Sequence, residues 1–210
     1  MADRSKFYGL KEVADVYLFP VGSQVTITKK GDIQEASQAT YSFDTLKVTN
    51  IEAASEEVSA RGGKGNPELI SWSYGKEVTF TMEDALLSME TLDLMFGASE
   101  VATGDSPTLT IDANTFPEPY LIVGKTVMRA YSDGKDHPFF FVMPKAQIQV
   151  GGTLTMEAEG DPSTFEMSIK ALSSDCKLGG TESKDVLVQF INADKIAGDE
   201  ESATYVINGK

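Results

Sequence analysis

The chain has 210 residues, 41% of them hydrophobic, and a net charge of −14 from 18 basic and 32 acidic side chains. That length holds one good core or two small ones, and that hydrophobic fraction excludes an intrinsically disordered chain. The acidic excess is spread evenly over both halves, so most of the surface repels phosphates and sequence-specific nucleic-acid binding is not expected, although a local basic loop can still touch a phosphate.

The single cysteine, Cys176, excludes an internal disulfide and a cysteine-based zinc cluster, and fits a reduced cytosolic setting. The opening MADRSKFYGL lacks the apolar core of a signal peptide. No apolar run approaches the length of a membrane span. The expected location is the cytoplasm, or a particle assembled there.

Residues 1–14 read as a polar arm with Phe7, Tyr8 and Leu10 as anchors, either disordered or folded onto a neighbour. Val16 to Val21 and Val25 to Thr28 read as strands, and Gly22-Ser23 between them suggests a hairpin. Residues 33–43 are ambiguous. Phe43 to Ile51 is a further strand, and Glu56 to Ala60 leads into the glycine-rich segment Arg61-Gly62-Gly63-Lys64-Gly65-Asn66. Asn66-Pro67 closes it with a turn signal. Trp72 and Tyr74 follow, and then Val78, Phe80 and Met82 alternate with Thr79, Thr81 and Glu83, the period of a half-buried strand.

Ser88 is the expected N-cap of a short helix, with Asp84 as an earlier alternative. Met89, Leu92, Met95 and Phe96 fall on one face, and Gly97 stands at the left-handed C-cap position. Ser99 to Pro107 reads as a loop. Tyr120 to Val123 and Thr126 to Tyr131 are two strands, or one broken at Gly124. Residues 132–136 form a strong turn before Phe139 to Met143. Gln147 to Glu157 alternates around Gly151-Gly152, a bulge or bend, and Glu159 to Pro162 makes a tight turn. Phe165, Met167 and Ile169 alternate, and strands are expected at Val186 to Phe190 and Tyr205 to Ile207. The total, roughly ten short strands and one helix near residues 88–96, is all-β dominated: a β-sandwich or barrel with a flanking helix and a long glycine-rich loop. The whole chain, 1–210, reads as a single domain with an arm (1–14) and a projecting loop (about 56–72).

Catalytic patterns are weak. The glycine segment fails the P-loop spacing, since Lys64 precedes Gly65 and not Ser or Thr. A backbone anion nest stays open as a reading, and a mobile contact loop is the stronger one. His137, the single histidine, sits in the turn DGKDHP, and Cys176 lies in SSDCKLGG without an activating basic cluster. Asp133, Asp136 and Asp199-Glu200-Glu201 lack calcium-loop spacing. Glu83 and Asp84 are adjacent in a strand, so they point to opposite faces. The expectation is no enzyme activity, no metal and no cofactor.

Two blocks carry a family resemblance. RGGKGNPELISWSYGKEVTFTMEDALLSMETLDLMFGA (61–98) and FFFVMPKAQIQVGGTLTMEAEGDPSTFEMSIKAL (139–172) resemble the major tail tube proteins of tailed bacteriophages. The resemblance implies a virion structural protein that stacks as hexameric rings into the tail tube, a conduit for the genome with an acidic lumen. It implies other copies of itself as partners, then tape measure, baseplate, terminator and sheath proteins, with DNA passing non-specifically and no membrane. Ring stacking would fall to Arg61, Gly62, Gly63, Lys64, Gly65, Asn66, Trp72 and Tyr74. The competing readings are another tail component, such as a terminator or a baseplate-proximal tube homologue, and a carbohydrate-binding or adhesive β-sandwich.

Overall fold

The structure, a computed structural model, describes residues 7–84, 88–97, 100–102, 108–111, 113–150, 165–178, 181–198 and 203–208. The expected bend at Gly151-Gly152, the turn at Glu159 to Pro162 and the acidic run Asp199-Glu200-Glu201 lie outside the described residues.

The strands in order are β1 (Tyr8–Leu10), β2 (Asp15–Pro20), β3 (Gln24–Thr28), β4 (Tyr41–Phe43), β5 (Leu46–Arg61) and β6 (Glu68–Asp84). After helix α1 (Met89–Phe96) come β7 (Glu100–Ala102), β8 (Thr108–Thr110), β9 (Pro119–Ala130), β10 (Asp136–Ile148) and β11 (Phe165–Ala171). The chain ends with β12 (Ser174–Leu178), β13 (Thr181–Val186), β14 (Gln189–Asn192) and β15 (Thr204–Asn208). No helix among the described residues is long and apolar enough to cross a membrane. The all-β expectation holds.

The main sheet runs β4-β2-β9-β10-β11-β6-β5, with β1 added to β9 and β14 to β10. A smaller sheet runs β13-β12-β15-β3. Strands β9 and β10 are buried on both faces, which explains their near-continuous apolar runs. Ile122, Phe141 and Met143 point into one core with Val16, Leu18, Phe80, Met82, Phe165 and Met167. Leu121, Val123, Phe140 and Val142 point into the other, against Val25, Ile27 and Ile207 of the smaller sheet. Because strands from both ends of the main sheet share the first core, that sheet curls into an open barrel, and the second sheet packs on its back as a sandwich.

Several expectations change in detail. β2 and β3 are present but do not form a hairpin: β2 pairs with β4 and β9, while β3 pairs with β15. Pro20 ends the first ladder without a donor, and Gly22 at φ 94° carries the chain across to the other sheet. The expected strand Phe43 to Ile51 divides at Asp44-Thr45, where the Thr45 hydroxyl donates to buried Asp84 at 2.7 Å. The expected loop Ser99 to Pro107 contains β7, paired with β8. The Val186 to Phe190 strand divides between β13 and β14.

β9 is one strand, not two. At Gly124, directly opposite Phe141, a Cβ would overlap the Phe141 ring, so the glycine makes room for the aromatic without breaking the ladder. Pro144 sits where the β9–β10 register shifts, between Met143 and Ala146, as its missing N–H requires.

The helix begins as expected: the Thr91 N–H donates to Ser88 Oγ at 3.0 Å, and Gly97 takes a left-handed φ of 63°. Its buried face is centred on Leu94 and Met95, with Phe96 half-buried against the first core. Asp84 belongs to β6. Tyr41 of β4 donates to Asp93 of the helix at 3.1 Å and packs edge-on against Tyr120, and burial pushes its phenol pKa well up.

Residues 7–14 lie along β9 of their own chain. Lys11 N–H donates to Val127 at 2.9 Å, and Thr126 donates to the Glu12 carbonyl at 2.8 Å. Lys11 also meets Asp136 at 2.8 Å, and Arg129 grips the same carboxylate at 2.6 and 3.0 Å. Arg129 first and Lys11 second hold the Asp136 pKa well below the usual carboxylate range, and Asp136 raises that of Lys11. The carboxylate's contribution is complete above the ordinary value of about 4 and is lost as pH falls through the depressed one. The ammonium's is complete below its ordinary value of about 10.4 and is lost as pH rises through the raised one. The clasp is therefore intact across roughly pH 4 to 10. Asp136→Asn is expected to accelerate amide exchange at Tyr8 to Leu10 while leaving the melting temperature nearly unchanged, because these charges are exposed. Unchanged exchange at those amides would show that the ion triad does not hold the segment.

Candidate interaction surface

β5 and β6, at 16 and 17 residues, are the longest of the described strands because they leave the body together. Their lower halves are anchored: Val78, Phe80 and Met82 are buried, and Phe80 lies 5.1 Å from the Phe141 ring. Above that, every residue of β6 from Glu68 to Lys76 is exposed, as is every residue of β5 from Glu52 to Val58. The expected loop at about 56–72 is thus a two-stranded ribbon. Strand register runs through it to Arg61 opposite Glu68, and residues 62–67 alone form the turn. At strand rise, the ribbon extends roughly 30 Å from Ala53.

The tip geometry accounts for its glycines. Gly63 and Gly65 have φ of 85° and 88°, Asn66 has φ 51°, and a Cβ at either glycine would meet nothing within 4 Å. Dihedral freedom, not crowding, is what the turn needs. Gly62 N–H donates to Pro67 and Asn66 N–H to Gly63, each at 3.1 Å. Arg61 pairs with Glu68 at 3.5 Å in the open, and Lys64 is exposed at the apex. Two of the tip amides, those of Gly62 and Asn66, are spent on its own turn.

The ribbon has two unlike faces. Directly opposed residues of an antiparallel pair share a face. Val58 opposes Trp72, Ala60 opposes Ile70 and Glu56 opposes Tyr74. The Tyr74 hydroxyl bonds to Glu56, which raises its pKa. The reverse face carries Glu57 opposite Ser73 and Ser59 opposite Ser71, with Ser71 donating to Glu57. One face is therefore aromatic and aliphatic, with Ile70, Trp72 and Tyr74 each more than half exposed; the other is a row of serines. Trp72 does not anchor the base of the ribbon within its own chain; its ring stands in solvent at 53% exposure.

Gly75 sets which way the aromatic face looks. The register shifts between Ala54 and Glu56, where two residues of β6, Gly75 and Lys76, oppose Ser55, and Gly75 has φ 62°. This is a β-bulge with a left-handed glycine. Simple alternation would put residues 70, 72 and 74 on the core face with 78, 80 and 82. The bulge inverts that parity, so the aromatic row joins the outward face of Glu77, Thr79 and Thr81. Sequence reasoning missed Val58, Ala60 and Ile70 as members of this surface. The available signal was Gly75, a glycine inside a strand-length alternating run.

The other candidates resolve as structural groups. His137 is held between two carboxylates, Nδ1 against Asp194 and Nε2 at 3.5 Å from Asp133, with Tyr8 edge-on at 6.3 Å. Its ring nitrogens point to different partners, so the three groups do not converge on one point. No cluster of His, Cys, Asp and Glu able to hold a metal occurs among the described residues. Cys176 is 3% exposed, and burial pushes its thiol pKa up, away from the reactive thiolate. Asp84 is buried while neighbouring Glu83 faces outward, as adjacent strand residues must.

Two solved structures align with most of the chain. One is from the sheath-tube complex of an extracellular contractile injection system in its extended state, with 10% identity, 83% of this chain and 91% of the other covered, and a TM-score of 0.38. The other is the tube-terminating cap of an anti-feeding prophage, with 8% identity, 91% and 99% coverage, and a TM-score of 0.43. No curated protein sequence matches the chain. The sequence itself fits a family model over residues 8–106 and 99–183, a span that includes the whole ribbon and the buried strands beneath it. On that match, and in agreement with the resemblance of residues 61–98 and 139–172, the chain belongs to the YomU/Tube protein family.

Proposed function

We propose that the protein is a structural tail tube subunit that assembles as hexameric rings stacked into a tube, with the β5–β6 ribbon as the contact between rings. The observation that carries this reading is the ribbon itself: an exposed apolar row of Val58, Ile70, Trp72 and Tyr74 held well clear of the body. A soluble protein does not keep such a surface in water without a partner. Within a ring, β5 is the terminal strand of its sheet, and such an edge is covered most directly by the sheet of the next copy. The tip residues Arg61, Gly62, Gly63, Lys64, Gly65 and Asn66 then reach the adjacent ring, where the two cations meet an acidic surface. With basic groups engaged at contacts, acidic side chains remain to line the lumen, so that a passing genome slides without being held. Tape measure, baseplate, terminator and sheath proteins are the further partners of such a tube, which resides in the virion tail after assembly in the host cytoplasm.

The test is the double variant Arg61→Glu, Lys64→Glu. Four units of charge change at the tip in a chain already at −14, and the carboxylate introduced at position 61 would face Glu68. Subunits are expected to stay folded while tubes shorten or vanish. Negative-stain length distributions measure this. Tubes of unchanged length would remove the tip from the contact.

A further inference from the structure

Along β6 the apolar row never changes parity in sequence. Ile70, Trp72 and Tyr74 continue, through Lys76, into Val78, Phe80 and Met82. An unbroken ladder would place all of these apolar residues on one face. The structure divides them: Val78, Phe80 and Met82 are buried, while the bulge that sets Gly75 and Lys76 against Ser55 turns the other three outward. The inversion hangs on one residue, since Gly75 alone supplies the left-handed φ of 62° at that point.

No core holds the ribbon in that register. Residues 68–76 of β6 and 52–58 of β5 are exposed, so burial favours neither face, and register is weakly specified where neither face is buried. A second shift, between Ala60 and Arg61, leaves Leu69 without a directly opposed residue. Sliding β6 by one position removes both irregularities and lengthens the turn. Glu56 then opposes Gly75, Ser59 opposes Trp72 and Ala60 opposes Ser71. The face to which the aromatic row would turn is apolar at its root. There lies a groove of about 730 Å3, with Ile51, Val78 and Phe80 in one wall and Leu10 and Phe190 in the other. Ala53 and Lys76 carry the first wall up to the bulge. In the unbroken register Tyr74 is the next residue of that wall after Lys76, and Trp72 follows it.

We propose that the ribbon has two registers one residue apart, and that the second is a closed form in which the aromatic row lies on the groove side and is withheld from partners. Gly75 is the switch: left-handed in the open form, extended in the closed one. The ladder hydrogen bonds are remade in kind, so side chains set the balance. The open form keeps Val58 opposite Trp72; the closed form extends the apolar wall of the groove instead. An apolar row turned toward its own body is guarded against unwanted association. The switch is a property of the single chain and stands whether or not copies assemble into a tube.

Paired cysteines read the register. All variants carry Cys176→Ala, and Ser71→Cys is common to both pairs. Ser59→Cys and Ser71→Cys are directly opposed in the described register. Ala60→Cys and Ser71→Cys are directly opposed only in the second; in the first their Cβ atoms point to opposite faces, which forbids a disulfide. Under slow oxidation of the dilute protein, the 59–71 pair is expected to close first, and the 60–71 pair more slowly as molecules visit the closed form. Gly75→Val, which disfavours the left-handed backbone, should speed 60–71 closure at least about tenfold and slow 59–71 closure. With the 60–71 disulfide formed, Tyr74 should be nitrated more slowly than with the 59–71 disulfide, as mapped by mass spectrometry. Absence of the 60–71 disulfide in both backgrounds, or loss of both links in Gly75→Val, would overturn the second register. Equal nitration of Tyr74 in the two locked chains would overturn the closed form.

Discussion

Trp72→Asp is expected to give a folded monomer that no longer polymerises. Trp72 is 53% exposed in the single chain, so its removal opens no cavity, and the body should keep its stability to within about 0.5 kcal/mol. Within the ribbon, the loss is the cross-strand contact with Val58, worth at most about 1 kcal/mol and confined to that element. The cost falls on association. A central aromatic at an interface contributes about 2 kcal/mol or more, and aspartate adds the burden of an unpaired charge in an apolar site. The critical concentration for assembly should therefore rise at least about 30-fold, read by pelleting or light scattering. The paired control is Ser73→Asp on the opposite face, which should assemble more readily than Trp72→Asp. Equal loss in the two variants would mean that the ribbon's two faces are not distinguished.

The largest effect on folding is expected at Gly124. Its absent side chain is the space occupied by the Phe141 ring, which in turn lies 5.1 Å from Phe80. Gly124→Val should push Phe141 against β6 and destabilise the protein by at least about 2 kcal/mol, as overpacked cores do. At roughly 2–4 °C per kcal/mol for a chain of this size, the melting temperature should fall by about 4–8 °C or more. A double-mutant cycle isolates the coupling. Phe141→Ala alone should cost about 3–5 kcal/mol through its cavity. Combined with Gly124→Val, it should cost markedly less than the sum, since the valine fills part of the space. Strict additivity would show that the ring and the glycine are not coupled.

Local patterns were legible in the sequence wherever the causes are local. The Ser88 cap, the Gly97 terminus, the turn after Tyr131 and the period-two strands at 78–82 and 165–169 depend on neighbours a few residues away. The resemblance of residues 61–98 pointed to the tube family for the same reason: a linear stretch carries it. What stayed hidden depends on partners distant in sequence. Gly22-Ser23 looks like a hairpin turn, yet β3 pairs with β15 at the far end of the chain, and nothing near Gly22 encodes that. Residues 56–61 read as a lead into a loop because Glu56 and Glu57 obscure alternation; their strand character comes from pairing with residues 68–74. The outward turn of Trp72 follows from one extra residue at the Gly75 bulge, and a continuous alternating pattern conceals such an inversion. The groove draws its walls from Leu10, Ile51, Phe80 and Phe190, and no single window of sequence contains them.

If the β5–β6 ribbon joins ring to ring, cryo-electron microscopy of the purified protein at high concentration will show it. The expected image is a tube of stacked rings, with density for residues 52–76 crossing from each ring into the next and Trp72 buried between copies. A protein that stays monomeric, or tubes in which that ribbon hangs free in solvent, would refute the ribbon as the joint.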